Sequence, residues 1–512
     1  MMRGSAHGSL VLLIGQIITA AISTITVIWM ARILGPTSYG QYTIALLPIS
    51  IALLFQDLGM NTALTRFCAL YRYERRTQDL RTVVVTGLLF SVATSIIISA
   101  ALYILAGPIA TGFLKRPEVT PLVQASALAV LGAGGLLTTI QAILVGYELM
   151  GLRSFTQILW SITRTAFTVG LLLIGMGAFG AVLAFTASQL VAGLLGVLLI
   201  FIFIKFEAGK PSLSWAMMKE FLSYGIPVSI SSLIGGILNQ LYNSIMVIYV
   251  ATDLIGNYGA AVNFGVLVGF FTFPIATTLF PLFSKFKPGD PQLKSIFRMA
   301  VRYTAMITLP VVMVIIVISG PLTQLIYGAD YPYVAVYLNL YILAYAFEGL
   351  GGLSLGNAIV GIGQSKISLR SSILTFILGA SLVLLLGPTY GMVGILLTMI
   401  IAPRAGWLYQ IIWARRNTEL TVDWSSTARI YATSLLAAII AYLLIYVPKL
   451  RGWPALLVGG LTYLVVYLFG LPLSGALKRS DVDQFEALVD ELGPLGRIGG
   501  WIISLLGRFT RK

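Results

Sequence analysis

The chain has very few charged residues for its length. Asp, Glu, Lys and Arg make up 10% of its 512 residues, whereas hydrophobic residues make up 58%. A soluble domain carries about 25% charged residues, and the mean hydropathy of this chain is +0.93. These values exclude a water-soluble globular protein and predict a chain surrounded by lipid.

Cysteine and histidine are almost absent. The single cysteine, Cys68, excludes a disulfide framework, and the single histidine, His7, excludes a metal site built from several histidines. The stretch nearest to a G-x-x-x-x-G-K-[ST] phosphate-binding loop, GIGQSK at 361–366, lacks its spacing and a preceding strand. We therefore expect no ATP-driven activity, no metal and no cofactor other than a coupling cation.

Apolar runs long enough to cross a membrane fill most of the sequence. A membrane-spanning helix needs about 20 apolar residues, and the first run, 10–30, is longer than the apolar core of a signal peptide. We predict an all-α polytopic membrane protein with fourteen transmembrane helices. The predicted spans are 9–31, 41–65, 83–107, 120–146, 155–176, 179–204, 225–250, 257–283, 303–320, 334–360, 371–387, 391–413, 430–447 and 454–472.

Basic residues are distributed unevenly between the two sides of this topology. With a cytoplasmic N-terminus, 26 of the 33 Lys and Arg residues fall in cytoplasmic segments, five fall outside, and Arg164 and Arg404 lie within spans. This asymmetry follows the positive-inside rule, so we predict a plasma-membrane protein with both termini in the cytoplasm. The net charge of +15 then reflects topology, and nucleic acid is not an expected partner.

Short sequence matches recur about half a chain apart, in equivalent turns. Tyr39-Gly40 aligns with Tyr258-Gly259 at an offset of 219 residues, and the offset is 217 for LRS at 152–154 and 369–371. Because six helices return the chain to its starting side, the repeat predicts two parallel six-helix lobes with a site between them. The predicted domains are an N-terminal lobe (1–212), a C-terminal lobe (213–420), helices thirteen and fourteen (421–475) and a cytoplasmic amphipathic tail (476–512).

Polar residues form a stripe on one face of helix one and another on helix seven. The steps of three and four residues place each set on one helical face. Such residues are ordinary in helix–helix contacts, and the alternative is that both stripes line a wet cleft that binds substrate. The residues are Gln16, Thr19, Ser23 and Thr26 in helix one, and Ser232, Gly236, Asn239 and Asn243 in helix seven.

Four ionisable residues, Asp57, Arg164, Glu348 and Arg404, fall well inside predicted spans. Each costs roughly 2.5–3.5 kcal/mol at the centre of a helix unless it is paired or hydrated. Each lobe holds one acid and one base, which allows an ion pair within each lobe. The functional alternative is that the arginines bind an anionic substrate group, while Asp57 or Glu348 binds a coupling cation, Na⁺ or H⁺.

The turn after helix one, ARILGPTSYGQYTIA at 31–45, contains one of the five outside cations. Gly35-Pro36 predicts the end of helix one, because proline disfavours helix in the residue before it. Arg32 either extends to the membrane surface from the helix end or meets an anionic headgroup at the exit of the cleft. At the other end of the chain, an acidic stretch at 481–492 and the following basic–apolar segment predict a helix lying on the membrane surface.

Three stretches resemble the polysaccharide flippases of the multidrug/oligosaccharidyl-lipid/polysaccharide exporter superfamily. They are RILGPTSYGQY at 32–42, QDLGMNTALTR at 56–66 and LIYGADYPYVAVYL at 325–338. The resemblance implies a V-shaped transporter that moves a lipid-linked oligosaccharide from the inner to the outer leaflet by alternating access. It also implies that Arg164 and Arg404 face the phosphate linker of the substrate.

Other functions compete with this interpretation. A cation-coupled multidrug exporter of the same superfamily usually has twelve helices, and the two additional helices here favour the flippase. A glycan polymerase or glycosyltransferase needs a sizeable outside loop, whereas every predicted outside turn is short. We therefore predict a transporter that is not an enzyme, with a lipid-linked glycan, the bilayer and glycan-assembly enzymes as partners.

Overall fold

The computed structural model describes residues 2–204, 215–287, 290–477, 479, 481–483 and 507. Over these residues the regular structure is helical, which confirms the all-α fold class. The helices of the first half are α1 (Met2–Ala45), α2 (Leu47–Gln56), α3 (Met60–Tyr73), α4 (Thr77–Pro108), α5 (Thr120–Ala127), α6 (Thr139–Gly146), α7 (Met150–Leu173) and α8 (Gly177–Phe203). Those of the second half are α9 (Trp215–Tyr249), α10 (Thr252–Val262), α11 (Gly265–Phe283), α12 (Pro291–Tyr327), α13 (Val334–Ala346), α14 (Gly352–Gly361), α15 (Ser365–Asn417), α16 (Trp424–Tyr446) and α17 (Gly452–Leu473).

The helices are apolar and long, as a membrane protein requires. Within the described ranges, nine are long and apolar enough to cross a bilayer, and a bent pair, Val334–Leu350 with Gly352–Gly361, makes a tenth. Each of the fourteen predicted ranges overlaps helical residues, but the number of crossings stays a prediction. Two of the continuous helices contain a break in the backbone, at Gly35 in α1 (φ 70°) and at Gly391 in α15 (φ 56°).

The chain divides into two compact units. Unit 1 comprises Met1–Asn263 and Ala380–Ile395, and unit 2 comprises Phe264–Gly379 and Leu396–Lys512. The four domain boundaries derived from the sequence repeat stay a prediction.

Unit 1 has an apolar core between α3, α4, α6 and α9. The ring of Phe67 in α3 lies 5.2 Å from that of Phe221 in α9, and both side chains are buried. Small polar residues make the remaining helix contacts, as is common between transmembrane helices. Ser99 of α4 donates to the carbonyl of Ala127, and Ser126 donates to the carbonyl of Ala45.

Unit 2 has a second core between α11, α12, α14 and α15. Phe283 of α11 and Phe297 of α12 are buried there with ring centroids 6.3 Å apart. Asp481 is also buried in this unit, where it pairs with Arg302 and accepts a hydrogen bond from the Tyr303 hydroxyl at 3.0 Å. Apart from residues 481–483 and 507, the predicted membrane-surface helix lies outside the described residues.

Two of the predicted spans are broken near an acidic residue. Span two breaks between α2 and α3, where Leu58 and Gly59 have φ of 45° and 79°. A Cβ atom on Gly59 would lie 2.2 Å from the carbonyl oxygen of Gly225, so only glycine fits this approach. Span ten breaks between α13 and α14 at a 3₁₀ turn, Phe347–Leu350, which Gly351 follows with a φ of 95°.

Candidate functional site

The polar stripe of helix one lies partly in a helix contact. Thr26 is buried, and its hydroxyl lies 2.6 Å from that of Thr165 in α7. The same two helices also contact each other nearer the start of α1, where the Ser154 hydroxyl of α7 donates to the carbonyl of Val11. Thr26 therefore makes a helix–helix contact, which is the first of the two alternatives for this stripe. Gln16, on the same helix, is half-buried, and its role in substrate binding stays a prediction.

The polar stripe predicted on helix seven lies on α9 and contains a pair of amides. The Asn243 amide donates to the Asn239 side-chain oxygen at 3.0 Å, and Asn239 is exposed. Gly236 lies against Leu54, whereas the side chain of Ser232 lies outside the described atoms. The amide pair presents donors and an acceptor on an accessible face of this helix.

Arg164 in α7 lies among aromatic side chains of unit 1. Its guanidinium donates to the Tyr42 hydroxyl at 3.1 Å and lies 5.7 Å and 5.6 Å from the ring centroids of Trp160 and Phe185. No carboxylate of the described residues lies within 4 Å of it, so the direct ion pair with Asp57 is not present. Aromatic faces stabilise a guanidinium without neutralising its charge.

Asp57 instead accepts a hydrogen bond from the start of a helix. Its side-chain oxygen accepts the backbone N–H of Asn61 at 2.9 Å, in the first turn of α3. This interaction satisfies one of the unpaired N–H groups that every helix start contains.

Arg32 is exposed three residues before the break at Gly35.

Arg404 and Glu348 lie together at the broken span of unit 2. The Arg404 guanidinium donates to the carbonyls of Ile400 and Ala344, at 3.0 Å each, and stacks over the Phe347 ring at 3.8 Å. The Glu348 carboxylate accepts the backbone N–H of Leu353 in the first turn of α14. In the described part of unit 2 the two side chains form no ion pair within 4 Å, although their charges attract each other.

A cavity of about 400 Å³ opens beside these two residues. Tyr341, Tyr345 and Glu348 line it from α13 and the following turn, at steps of four and three residues. On the opposite side are three residues of α15, also one turn apart: Arg404, Trp407 and Gln410.

The cavity lining contains both hydrogen-bond donors and acceptors. The Tyr341 and Tyr345 hydroxyls lie 3.2 Å apart, and the buried indole N–H of Trp407 has no partner among the described residues. Glu348 is the carboxylate acceptor of the lining. Aromatic faces, planar polar groups and one acid can bind a polar ligand that is rich in oxygen.

Sequence reasoning identified Arg404 and Glu348 from their cost in a membrane but missed Tyr341, Tyr345, Trp407 and Gln410. Their helical spacing was a usable signal, since two sets of polar and aromatic residues repeat at one turn on two helices. What the pattern does not reveal is that the two faces oppose each other, because that depends on the break in span ten.

No group of three or more His, Cys, Asp or Glu residues within the described ranges could hold a metal ion. The coupling cation stays a prediction.

Long apolar helices that are broken near acids, with arginines inside them, are the features of a polytopic membrane transporter. The chain matches the family described as "Polysaccharide biosynthesis protein" over residues 5–287, which is more than half of its length. It belongs to this family, and the resemblance found in the sequence is confirmed.

One protein of similar sequence and two solved structures of similar fold are compared with this chain. The chain is 21% identical over 389 residues to the lipopolysaccharide biosynthesis protein WzxC of Escherichia coli K12, covering 75% of each chain. Its fold is similar to that of the lipid II flippase MurJ in an inward closed conformation, with a TM-score of 0.73 and 18% identity, over 90% of this chain and 98% of that one. An inward-facing multidrug MATE transporter is similar with a TM-score of 0.62 and 17% identity, over 77% and 93%.

Proposed function

We propose that this protein is a flippase that moves a lipid-linked oligosaccharide or polysaccharide precursor from the inner to the outer leaflet by alternating access. The observation that carries the proposal is the pair of arginines, one in each unit, that have no direct carboxylate partner among the described residues of a chain of this family. An arginine that uses only hydroxyl, carbonyl and aromatic contacts keeps its charge available for an anion.

Arg164 and Arg404 are the proposed contacts for the phosphate linker of the substrate. The planar guanidinium matches two phosphate oxygens at once, which a lysine does not do. Asn239, Asn243, Gln16 and Arg32 remain further candidates along the path. Tyr341, Tyr345, Trp407 and Gln410 add hydroxyl, indole and amide groups suited to sugar hydroxyls beside Arg404.

Asp57 and Glu348 are the proposed sites of coupling to Na⁺ or H⁺. Both acids lie where a span is broken, and broken helices in transporters expose the backbone groups that coordinate ions. An acid at such a break can bind a cation in one conformation and release it in another.

We further propose that the protein lies in the plasma membrane with both termini in the cytoplasm, beside the enzymes that assemble its glycan. The basic residues concentrated in the predicted cytoplasmic segments support this orientation. The transport step needs no covalent chemistry, so we infer that the protein is not an enzyme.

A multidrug exporter is the second candidate, and the MATE-like fold favours it. An organic cation would be bound chiefly by carboxylates and aromatic rings. The cavity beside Glu348 instead contains an arginine and several neutral donors, which suits an oxygen-rich anion or sugar better.

The leaflet distribution of lipid-linked glycans tests the proposal. Deleting the gene should cause a lipid-linked glycan to accumulate on the inner leaflet, and the wild-type gene supplied on a plasmid should reverse this. Accumulation is measured by digesting the accessible glycans in intact cells and in inverted vesicles. An unchanged distribution, with drug sensitivity gained instead, would replace the flippase with the exporter.

A further inference from the structure

Two helix starts in unit 1 meet at an unusually close contact. The second part of α1 begins at Pro36, after the break at Gly35, and α10 begins at Thr252. A Cβ atom on Gly40 would lie 1.9 Å from the carbonyl oxygen of Thr252, and one on Gly256 would lie 1.9 Å from that of Pro36. The contact is therefore reciprocal, and glycine permits it on both sides.

This contact changes which residues of the two predicted lobes correspond to each other. Gly40 lies four residues after Pro36, as Gly256 lies four residues after Thr252, so the symmetric partner of Gly40 is Gly256 at an offset of 216 residues. The sequence alignment paired Gly40 with Gly259, at an offset of 219. The two helix starts thus occupy equivalent places in the two predicted lobes.

Arg116 connects a third segment to the contact between these two helix starts. It lies between α4 and α5, and its guanidinium donates to the carbonyls of Val250, at 2.5 Å, and Val247, at 3.2 Å, and to the Thr252 hydroxyl. These carbonyls belong to the last turn of α9 and the residue after it, where helices leave C=O groups unpaired and carry partial negative charge.

The cation is half-buried in this position. Burial lowers the pKa of Arg116, and the nearby carboxylate of Glu118 opposes the shift. Arginine still remains protonated at neutral pH, so all of its donors stay available. Its neighbour Lys115 is exposed and makes no side-chain hydrogen bond or ion pair with the described residues.

The connected segments fall in different predicted lobes, 1–212 and 213–420, at the ends of helices that the predicted topology places outside. We propose that Arg116 is a latch that holds the outer ends of the two lobes together and must release α9 before the transporter opens to the outside. The latch rests on the proposed alternating access and gives it a specific outer gate.

Labelling of a buried reporter cysteine tests the latch. Ala260, one turn after Gly256 in α10, is fully buried, so Ala260→Cys should react slowly with a membrane-impermeant maleimide added to intact cells. The native cysteine, Cys68, is also buried, and the chain without the reporter serves as the blank. Because hydrogen bonds from a charged group shift equilibria roughly tenfold or more, Arg116→Ala should raise the labelling rate by about that factor.

Lys115→Ala is the matched control, since it removes the same charge from the same loop. Thr252→Val removes only one of the acceptors, preserves the shape of the side chain and should raise labelling by a smaller factor. It also keeps the test valid if Arg116→Ala lowers the yield of folded protein, which size-exclusion chromatography reports.

Unchanged labelling in both Arg116→Ala and Thr252→Val, an equal increase in Lys115→Ala, or labelling only in inverted vesicles would overturn the latch. The reaction needs no substrate, so its outcome is separate from the leaflet measurement. Faster labelling with normal leaflet distribution after gene deletion would retain the latch and remove the flippase function.

Discussion

At the scale of single residues, Arg404 illustrates how a charge is accommodated inside this protein. Its guanidinium donates to two main-chain carbonyls and lies over an aromatic ring, while Glu348 remains more than 4 Å away. The carbonyls of Ala344 and Ile400 carry partial negative charge, and the break after α13 makes the first of them accessible. The arginine is held in place without being neutralised.

Replacing Arg404 should impair transport more than folding. We expect Arg404→Ala to lower the flipping rate in proteoliposomes by about tenfold or more, since a hydrogen bond to a charged group contributes roughly 1.5–3 kcal/mol. Arg404→Lys keeps the charge but lacks the planar fork, so its rate should be intermediate. Rates are compared per folded protein because the substitution also removes the two main-chain hydrogen bonds of the guanidinium.

Arg415→Ala is the matched control for this experiment. It removes an exposed arginine from the last turn of the same helix and should leave the rate unchanged. A wild-type rate for Arg404→Ala would assign Arg404 to the support of the helix break alone.

The acids at the helix breaks allow a charge to be removed without removing a hydrogen bond. In Asp57→Asn, the amide oxygen can still accept the N–H of Asn61, because the Asn side chain keeps a carbonyl oxygen at that position. Glu348→Gln is the corresponding change in unit 2. We expect at least one of them to abolish the dependence of flipping on a Na⁺ or proton gradient with little change in Tm.

The rate of flipping, measured with and without an imposed Na⁺ or proton gradient, shows whether each variant still depends on the gradient. If both variants keep the full dependence on the gradient, neither acid couples transport to an ion.

At the scale of elements, close helix packing depends on glycine in the first half of the chain. The π-helical segment Leu131–Thr138 lies against α8, and a Cβ atom on Gly132 would lie 2.6 Å from the main-chain nitrogen of Leu190. A main-chain atom within a helix cannot move aside as a side chain can.

Gly132→Ala should therefore destabilise the protein by about 1–3 kcal/mol, the usual cost of overpacking. Gly170→Ala in α7 is the control, because no atom lies within 4 Å of the added methyl group. In a helix interior this change should be neutral or stabilise by about 0.5–1 kcal/mol. Thermal unfolding of both purified variants measures the difference, and equal Tm values would refute the packing argument.

The positions of the helices followed from hydropathy, but their breaks did not. Spans 41–65 and 334–360 are each predominantly apolar, with one acidic residue apiece, so hydropathy predicts an unbroken helix in both. The structure interrupts the first at Leu58-Gly59 and the second at Phe347–Gly351. Only the approach of Gly225 shows why Gly59 needs its conformation, and Gly225 lies far away in the sequence.

At the scale of the whole molecule, composition determined that this chain belongs in a membrane, and the length of its apolar runs determined that it is helical. Its apolar content leaves lipid as the only suitable solvent, and in lipid the backbone must satisfy its own hydrogen bonds. The charges inside the spans could also be identified from the sequence, because their cost is large wherever they lie.

Tertiary structure alone decided which of these charges meet and what surrounds them. Arg164 lies beside aromatic rings, and Asp57 accepts a hydrogen bond from the start of α3. Arg404 and Glu348 share a cavity, and Arg116 donates to the end of α9. Contacts of this kind join residues from different helices and depend on close approaches and bends of a few residues. Hydropathy averages over about twenty residues and is insensitive to these details, so packing had to supply them.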